Sequence, residues 1–177
     1  LKYNLNFKES NMKKLIAVTT ALLAIVCFAG CSGESGGKAD AKLEDNGDGT
    51  LTYLEVTNSP LDGGLLITVD KNAGTVNMQI TDKSGNETAE YYKFTPAEST
   101  CERYRYVSMM GTGFYYGYDY ETGEIKTVLN NDQEDVTEST KESGRLESAQ
   151  SETKENVDGL ISYFETAFGM TLDEVIK

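Results

Sequence analysis

The sequence predicts an α+β fold: an antiparallel meander sheet of about six to seven strands packed against one C-terminal helix. Three observations carry that expectation. Short runs rich in Thr, Val, Ile, Tyr and Phe recur from Thr50 to Leu129. The links between them are brief and full of Gly, Asn, Asp and Pro, the residues that tight turns require. Beyond residue 143 the apolar residues switch to a spacing of three and four, the period of a helix face.

The strands are expected near Thr50–Val56, Leu65–Asp70, Thr75–Thr81, Glu87–Phe94, Cys101–Met109, Gly113–Tyr118 and Glu124–Leu129. Links such as "KNAG", "DKSGN" and "MGT" are too short for a crossover helix, so consecutive strands must pair antiparallel. The helix is expected from Gly144 to Phe168. Its stripe runs Leu146, Ala149, Thr153, Val157, Leu160, Ile161, Phe164, Phe168, with Gly169 as C-cap. Thr171 to Glu174 then reads as a capping box opening one more short turn. Between sheet and helix, residues 130–143 are rich in Glu, Asp, Ser and Thr, and the sequence leaves open whether they are ordered or disordered.

The N-terminus has its own logic. Lys13 and Lys14 precede the apolar run Leu15–Phe28, which is 14 residues long. A membrane-spanning helix needs about 20 apolar residues, so this run reads as the core of a secretory signal. It ends Phe28-Ala29-Gly30-Cys31, which resembles the lipobox of bacterial lipoproteins, with Phe28 in place of the commoner Leu. The resemblance implies diacylglyceryl transfer to the Cys31 thiol, cleavage between Gly30 and Cys31, and retention on the outer side of a bacterial membrane. The lipid bilayer is then a partner through acylated Cys31, because two acyl chains anchor stably where one does not. Four segments are expected: residues 1–11 as an untranslated extension ahead of Met12, a signal peptide at 12–30, a flexible tether at 31–43, and one globular domain at 44–177.

Charge and side-chain inventory narrow the function. Removing residues 1–30 takes out Lys2, Lys8, Lys13, Lys14 and Glu9, which leaves 12 basic and 28 acidic residues, a net charge of −16. Such a surface repels phosphate backbones, so nucleic acid is not an expected partner. The chain has no histidine. Ser–His and Cys–His nucleophile pairs and histidine metal ligands are therefore absent as candidates. With Cys31 acylated, Cys101 has no disulfide partner and reads as a small strand residue, with Arg103 two residues away on the same face.

Two candidate sites remain. Eight of the eleven tyrosines lie between Tyr91 and Tyr120. Alternation along a strand puts Tyr104 and Tyr106 on one face of theirs, and Phe114, Tyr116 and Tyr118 in one row on the next. These five are the candidate contact surface for an extracytoplasmic protein or glycan, since Tyr brings area and a polar tip at low entropic cost. The second candidate is the loop "EDNGDGTLTYLE", which matches part of a calcium-loop pattern with Glu44, Asn46, Asp48 and Glu55 as oxygen ligands and Gly49 at the sharp turn. Against it, Glu stands where Asp is usual, and a strand follows where a helix is required.

Neither the carboxylates nor Ser151-Glu152-Thr153-Lys154 form a recognisable catalytic set. The expectation is a lipid-anchored, non-catalytic binding module without cofactor. A calcium module, or a hydrolase using carboxylates alone, stands as the alternative.

Overall fold

The computed structural model of the chain describes residues 41–82 and 85–177. The expected extension, signal peptide, cleavage site Gly30–Cys31 and the tether as far as residue 40 lie outside the described residues.

Eight strands form one sheet in chain order, each antiparallel to the next. They are β1 (Glu44–Asp45), β2 (Thr50–Glu55), β3 (Gly64–Asp70), β4 (Thr75–Thr81), β5 (Glu87–Thr95), β6 (Thr100–Val107), β7 (Thr112–Asp119) and β8 (Glu124–Asn130). Three helices follow: α1 (Thr137–Glu142), α2 (Arg145–Phe168) and α3 (Leu172–Val175). The α+β meander is as expected, with eight strands where the sequence indicates six to seven. The extra one is β1, two residues long and too short to carry an alternation. It pairs with β2 because Asp45 and Asp48 accept from backbone amides of the turn between them while Gly47 and Gly49 supply positive φ. The expected strand at Cys101–Met109 stops at Val107, where Ser108–Met110 form a single 3₁₀ turn closed by Gly111.

One face of the sheet is the core. Leu65, Ile67, Val69, Val76, Met78, Tyr92, Phe94 and Cys101 alternate inward from β3 to β6. On β8 the buried residues are Ile125 and Val128, three apart. A bulge explains this: Tyr118 opposes Ile125 while Gly117 opposes Thr127, so Lys126 is an extra residue. Helix α2 lays Thr153, Val157, Leu160 and Phe164 onto this face, with Leu146, Ala149, Ile161 and Phe168 half-buried beside them. The expected stripe is the observed one. Full burial of Val157, Leu160 and Phe164 contributes about 1.5–3 kcal/mol each.

Gly169 ends α2 in the left-handed region, its amide donating to Glu165 O at 2.9 Å. Thr171 and Glu174 then make the reciprocal capping box. Residues 130–143, left open by the sequence, are ordered by the edge of the sheet. Thr137 Oγ1 accepts from Val128 N at 2.8 Å, Val136 N donates to Val128 O at 2.8 Å, and Gln150 Oε1 accepts from Ile125 N at 3.1 Å. The outward backbone groups of edge strand β8 are thereby used within the chain. Among the described residues, no helix is long and apolar enough to cross a membrane.

Candidate functional site

The second face of the sheet carries no described helix. Strand register sets one continuous row across it: Leu54, Leu66, Gln79, Tyr91, Tyr104, Tyr115, Leu129. Six inter-strand steps of about 4.8 Å make the row roughly 29 Å long. At its centre Tyr91 and Tyr104 stack with ring centroids 5.4 Å apart, and Tyr104 meets Tyr115 at 4.7 Å. The next row, Thr52, Thr68, Asn77, Lys93, Glu102, Gly117 and Thr127, is polar. A stripe that is apolar and aromatic except at Gln79 thus lies beside a band of hydroxyl, amide and charged groups.

Gly113 makes the stacking possible. A Cβ there would come within 2.4 Å of Tyr104 Oη and 2.5 Å of its ring carbons, so the ring covers the glycine. Tyr91 Oη lies 3.5 Å from Glu102 Oε1. Burial, and then the Glu102 charge, raise the Tyr91 hydroxyl well above its ordinary value. Burial first, and neighbouring groups second, raise Tyr104 and Tyr115 as well. All three stay protonated near neutral pH and can both donate and accept hydrogen bonds.

This arrangement corrects the expected five-residue surface. Tyr104 and Tyr106 do lie on the open face, and Tyr106 is 44% exposed. Phe114, Tyr116 and Tyr118 face the helix instead, and Tyr118 is 1% exposed within the core. Alternation sorts the residues within each strand correctly, but it does not say which residue of β7 meets Tyr104. The register pairs Tyr104 with Tyr115, the residue that points away from the Phe114 row, and with Tyr91 on the other side. Alternation already turns Tyr115 away from the Phe114 row, whereas Tyr91 was legible only as a member of the tyrosine cluster.

The calcium-loop residues are not brought together. Glu44 opposes Thr52, and Glu55 is three residues farther along β2, about 10 Å away along the strand. Asn46 and Asp48 bond to Thr50 within the turn. Glu55 Oε1 accepts from Thr57 N at 2.7 Å and Asn58 N at 3.0 Å at the far end of β2, and Oε2 accepts from Tyr53 Oη at 3.2 Å. A β-hairpin holds these residues where a calcium loop would need them to converge. Among the described residues, no group of three His, Cys, Asp or Glu side chains could hold a metal ion.

On the helix side, sequence reasoning missed a buried ionic network. Arg103 is 1% exposed. Its Nε and Nη2 donate to Glu90 Oε1 at 3.0 and 2.8 Å, Nη2 also to Glu152 Oε1 at 2.7 Å, and Nη1 to Thr153 Oγ1 at 3.0 Å. Arg105 Nη1 donates to both oxygens of Glu152 at 2.8 and 2.6 Å. The Arg103 guanidinium also lies 5.7 Å from the ring centroid of Tyr92, whose hydroxyl donates to Glu90 Oε1 and accepts from Asn156. Strand β6 is thereby bonded to one register of α2. The available signal was Thr153, the polar member of an otherwise apolar stripe.

Cys101 is 1% exposed, and burial pushes its thiol far above the ordinary range, which leaves it unreactive. Ser151 is exposed, and Lys154 pairs with Asp158 at 2.5 Å on the solvent side of α2. No family model matches the chain, and neither a curated protein nor a solved structure matches it.

Proposed function

We propose that the chain is a lipid-anchored, extracytoplasmic, non-catalytic binding module of a bacterial cell envelope. Its contact surface is the open sheet face centred on Tyr91, Tyr104 and Tyr115. The observation that carries the reading is the aromatic row itself: three adjacent tyrosines between Gln79 and Leu129, with Leu66 and Leu54 beyond Gln79, on a face that no described helix covers. Sheets with one solvated face ordinarily fill it with polar residues, so a stripe of this length is surplus to the fold. Partner contacts favour Tyr for its large, rigid area and its hydroxyl. The polar row alongside supplies hydrogen bonds to a protein or a glycan. Anchorage rests on the resemblance at Phe28–Cys31, and the acidic domain would stand off an anionic membrane on its tether.

A photo-crosslinking amino acid placed at Tyr115 in intact cells tests the reading, with the same group at exposed Glu155 on α2 as control. The proposal expects a discrete adduct from position 115 and none from 155. Equal labelling from both positions, or labelling from 155 alone, would overturn it.

A further inference from the structure

The chain contains three arginines, and the charges of all three act on one side chain, Tyr116. Arg103 and Arg105 share Glu152. Arg145 lies seven residues before Glu152 on α2, two turns along the same helix face and about 10 Å away. Its Nη1 is 4.0 Å from Met110 Sδ in the turn joining β6 to β7. Tyr116, the cross-strand partner of Arg103, stands among them, and the charges of Arg103, Arg105, Arg145 and Glu152 all act on its hydroxyl.

The donors here are unevenly used. Arg103 uses all three of its nitrogens, on Glu90, Glu152 and Thr153. Arg105 spends only Nη1, on Glu152, and its Nε and Nη2 have no partner among the described residues. Arg145 spends Nε on Ser143 Oγ at 2.8 Å and leaves Nη2 without an oxygen partner among the described residues. The half-buried Tyr116 hydroxyl is likewise without a hydrogen bond among them. Arg103 pairs with Glu90 and shares Glu152 with Arg105, and neither carboxylate is bonded to Arg145.

Arg145 is the first residue of α2, and Glu147 is the acid of the same first turn.

We propose that Arg105, Arg145 and Tyr116 form a seat for a tetrahedral oxyanion, a sulfate or phosphate group carried by a ligand. A planar carboxylate is already supplied by Glu152. The unspent donors come from three separate side chains, and three or more acceptor oxygens pointing in different directions answer them.

With only three arginines, the side-chain Nε–Hε region of a ¹⁵N spectrum holds three resonances, and Arg105→Gln and Arg145→Gln assign them. Sodium sulfate and sodium phosphate are titrated separately at ionic strength fixed with sodium chloride. The proposal expects saturable, correlated shifts of Arg105 and Arg145 while Arg103 stays still. Affinity should weaken about tenfold in Arg145→Gln, one charge-assisted hydrogen bond's worth, and be retained more fully in Arg145→Lys. Saturation by sulfate alone assigns a sulfate ester as the ligand group, and by phosphate alone a phosphate ester. Arg145 is exposed and Arg105 half-buried, and the backbone amide spectra of both variants report whether the fold is kept. Shifts that grow linearly without saturating, or that chloride reproduces, would overturn the proposal. So would a saturable response that persists when both arginines are replaced in a folded protein.

Discussion

The ring of Tyr104 rests on Gly113, one strand over and one pair along, at a distance that admits no side chain beneath it. The open-face row depends on this fit, because it sets the tilt at which Tyr104 meets Tyr91 on one side and Tyr115 on the other. Gly113→Ala should cost about 1–3 kcal/mol by overpacking and change the near-ultraviolet circular dichroism of the stacked tyrosines. In a Tyr104→Ala background the same substitution should cost far less. An equal loss in both backgrounds would mean that Gly113 serves something other than the ring.

Tyr118 supplies the converse case. Its hydroxyl is buried without a hydrogen-bond partner among the described residues. Removing an unsatisfied group of this kind is neutral or favourable. Tyr118→Phe should therefore leave stability unchanged or raise it by up to about 1 kcal/mol, read from a urea midpoint. A clear loss would show that the hydroxyl is bonded in solution.

The Arg103 network makes the domain sensitive to acid. Partial burial pushes Glu152 up, but the hydrogen bonds and charges of Arg103 and Arg105 outweigh it and hold the carboxyl below its ordinary value of 4.5. A depressed folded-state value means that this contribution is complete above about pH 4.5 and is lost as pH falls through the lower value. Glu55, Asp48, Asp119, Asp135 and Glu174 are lowered too, so acid weakens the whole domain. The difference between wild type and Glu152→Gln isolates one group. The variant should lose less stability on acidification below pH 4.5, by under about 1 kcal/mol because Glu152 is 40% exposed. Parallel acid profiles would remove Glu152 from the account.

Arg103 itself is worth more. Arg103→Met leaves Glu90 without its cation and Glu152 with Arg105 alone, and should cost about 3 kcal/mol. Arg103→Lys should recover only part of this, since an ammonium cannot reach Glu90, Glu152 and Thr153 together. Chemical denaturation of the two variants checks the order.

Calcium gives a simple negative prediction. With Glu55 held by Thr57 and Asn58 about 10 Å along the strand, calcium up to millimolar concentration should leave the melting temperature unchanged. A saturable rise would show that the β1–β2 turn rearranges to bring the four ligands together.

The fold was largely legible because its signals are local. Turn residues and alternation mark β2 to β8, and the stripe from Leu146 to Phe168 marks α2, since burial on one face imposes a period on the sequence. Two residues of β1 cannot show a period, and the ordering of residues 130–143 depends on Thr137 and Gln150 reaching the edge of β8, a contact between distant parts of the chain. The site was legible only as a composition. The tyrosine cluster announces an aromatic surface, but the pairing of Tyr104 with Tyr91 and Tyr115 is fixed by the turns on either side of β6. The Arg103 network was hidden for the same reason, since Glu90, Arg103 and Glu152 converge only when sheet and helix meet.

In the proposed function, Cys31 is the anchor that holds the domain outside the membrane. Membrane fractionation with intact-mass analysis of wild type and Cys31→Ala, expressed in a bacterial host, tests that directly. The account predicts that wild type is found with the membrane, begins at Cys31 and carries the mass of a diacylglyceryl group. It predicts that Cys31→Ala is unprocessed or released. Wild type recovered soluble, without added lipid mass, would contradict it, and the open tyrosine face would then have to be explained for a protein free in solution.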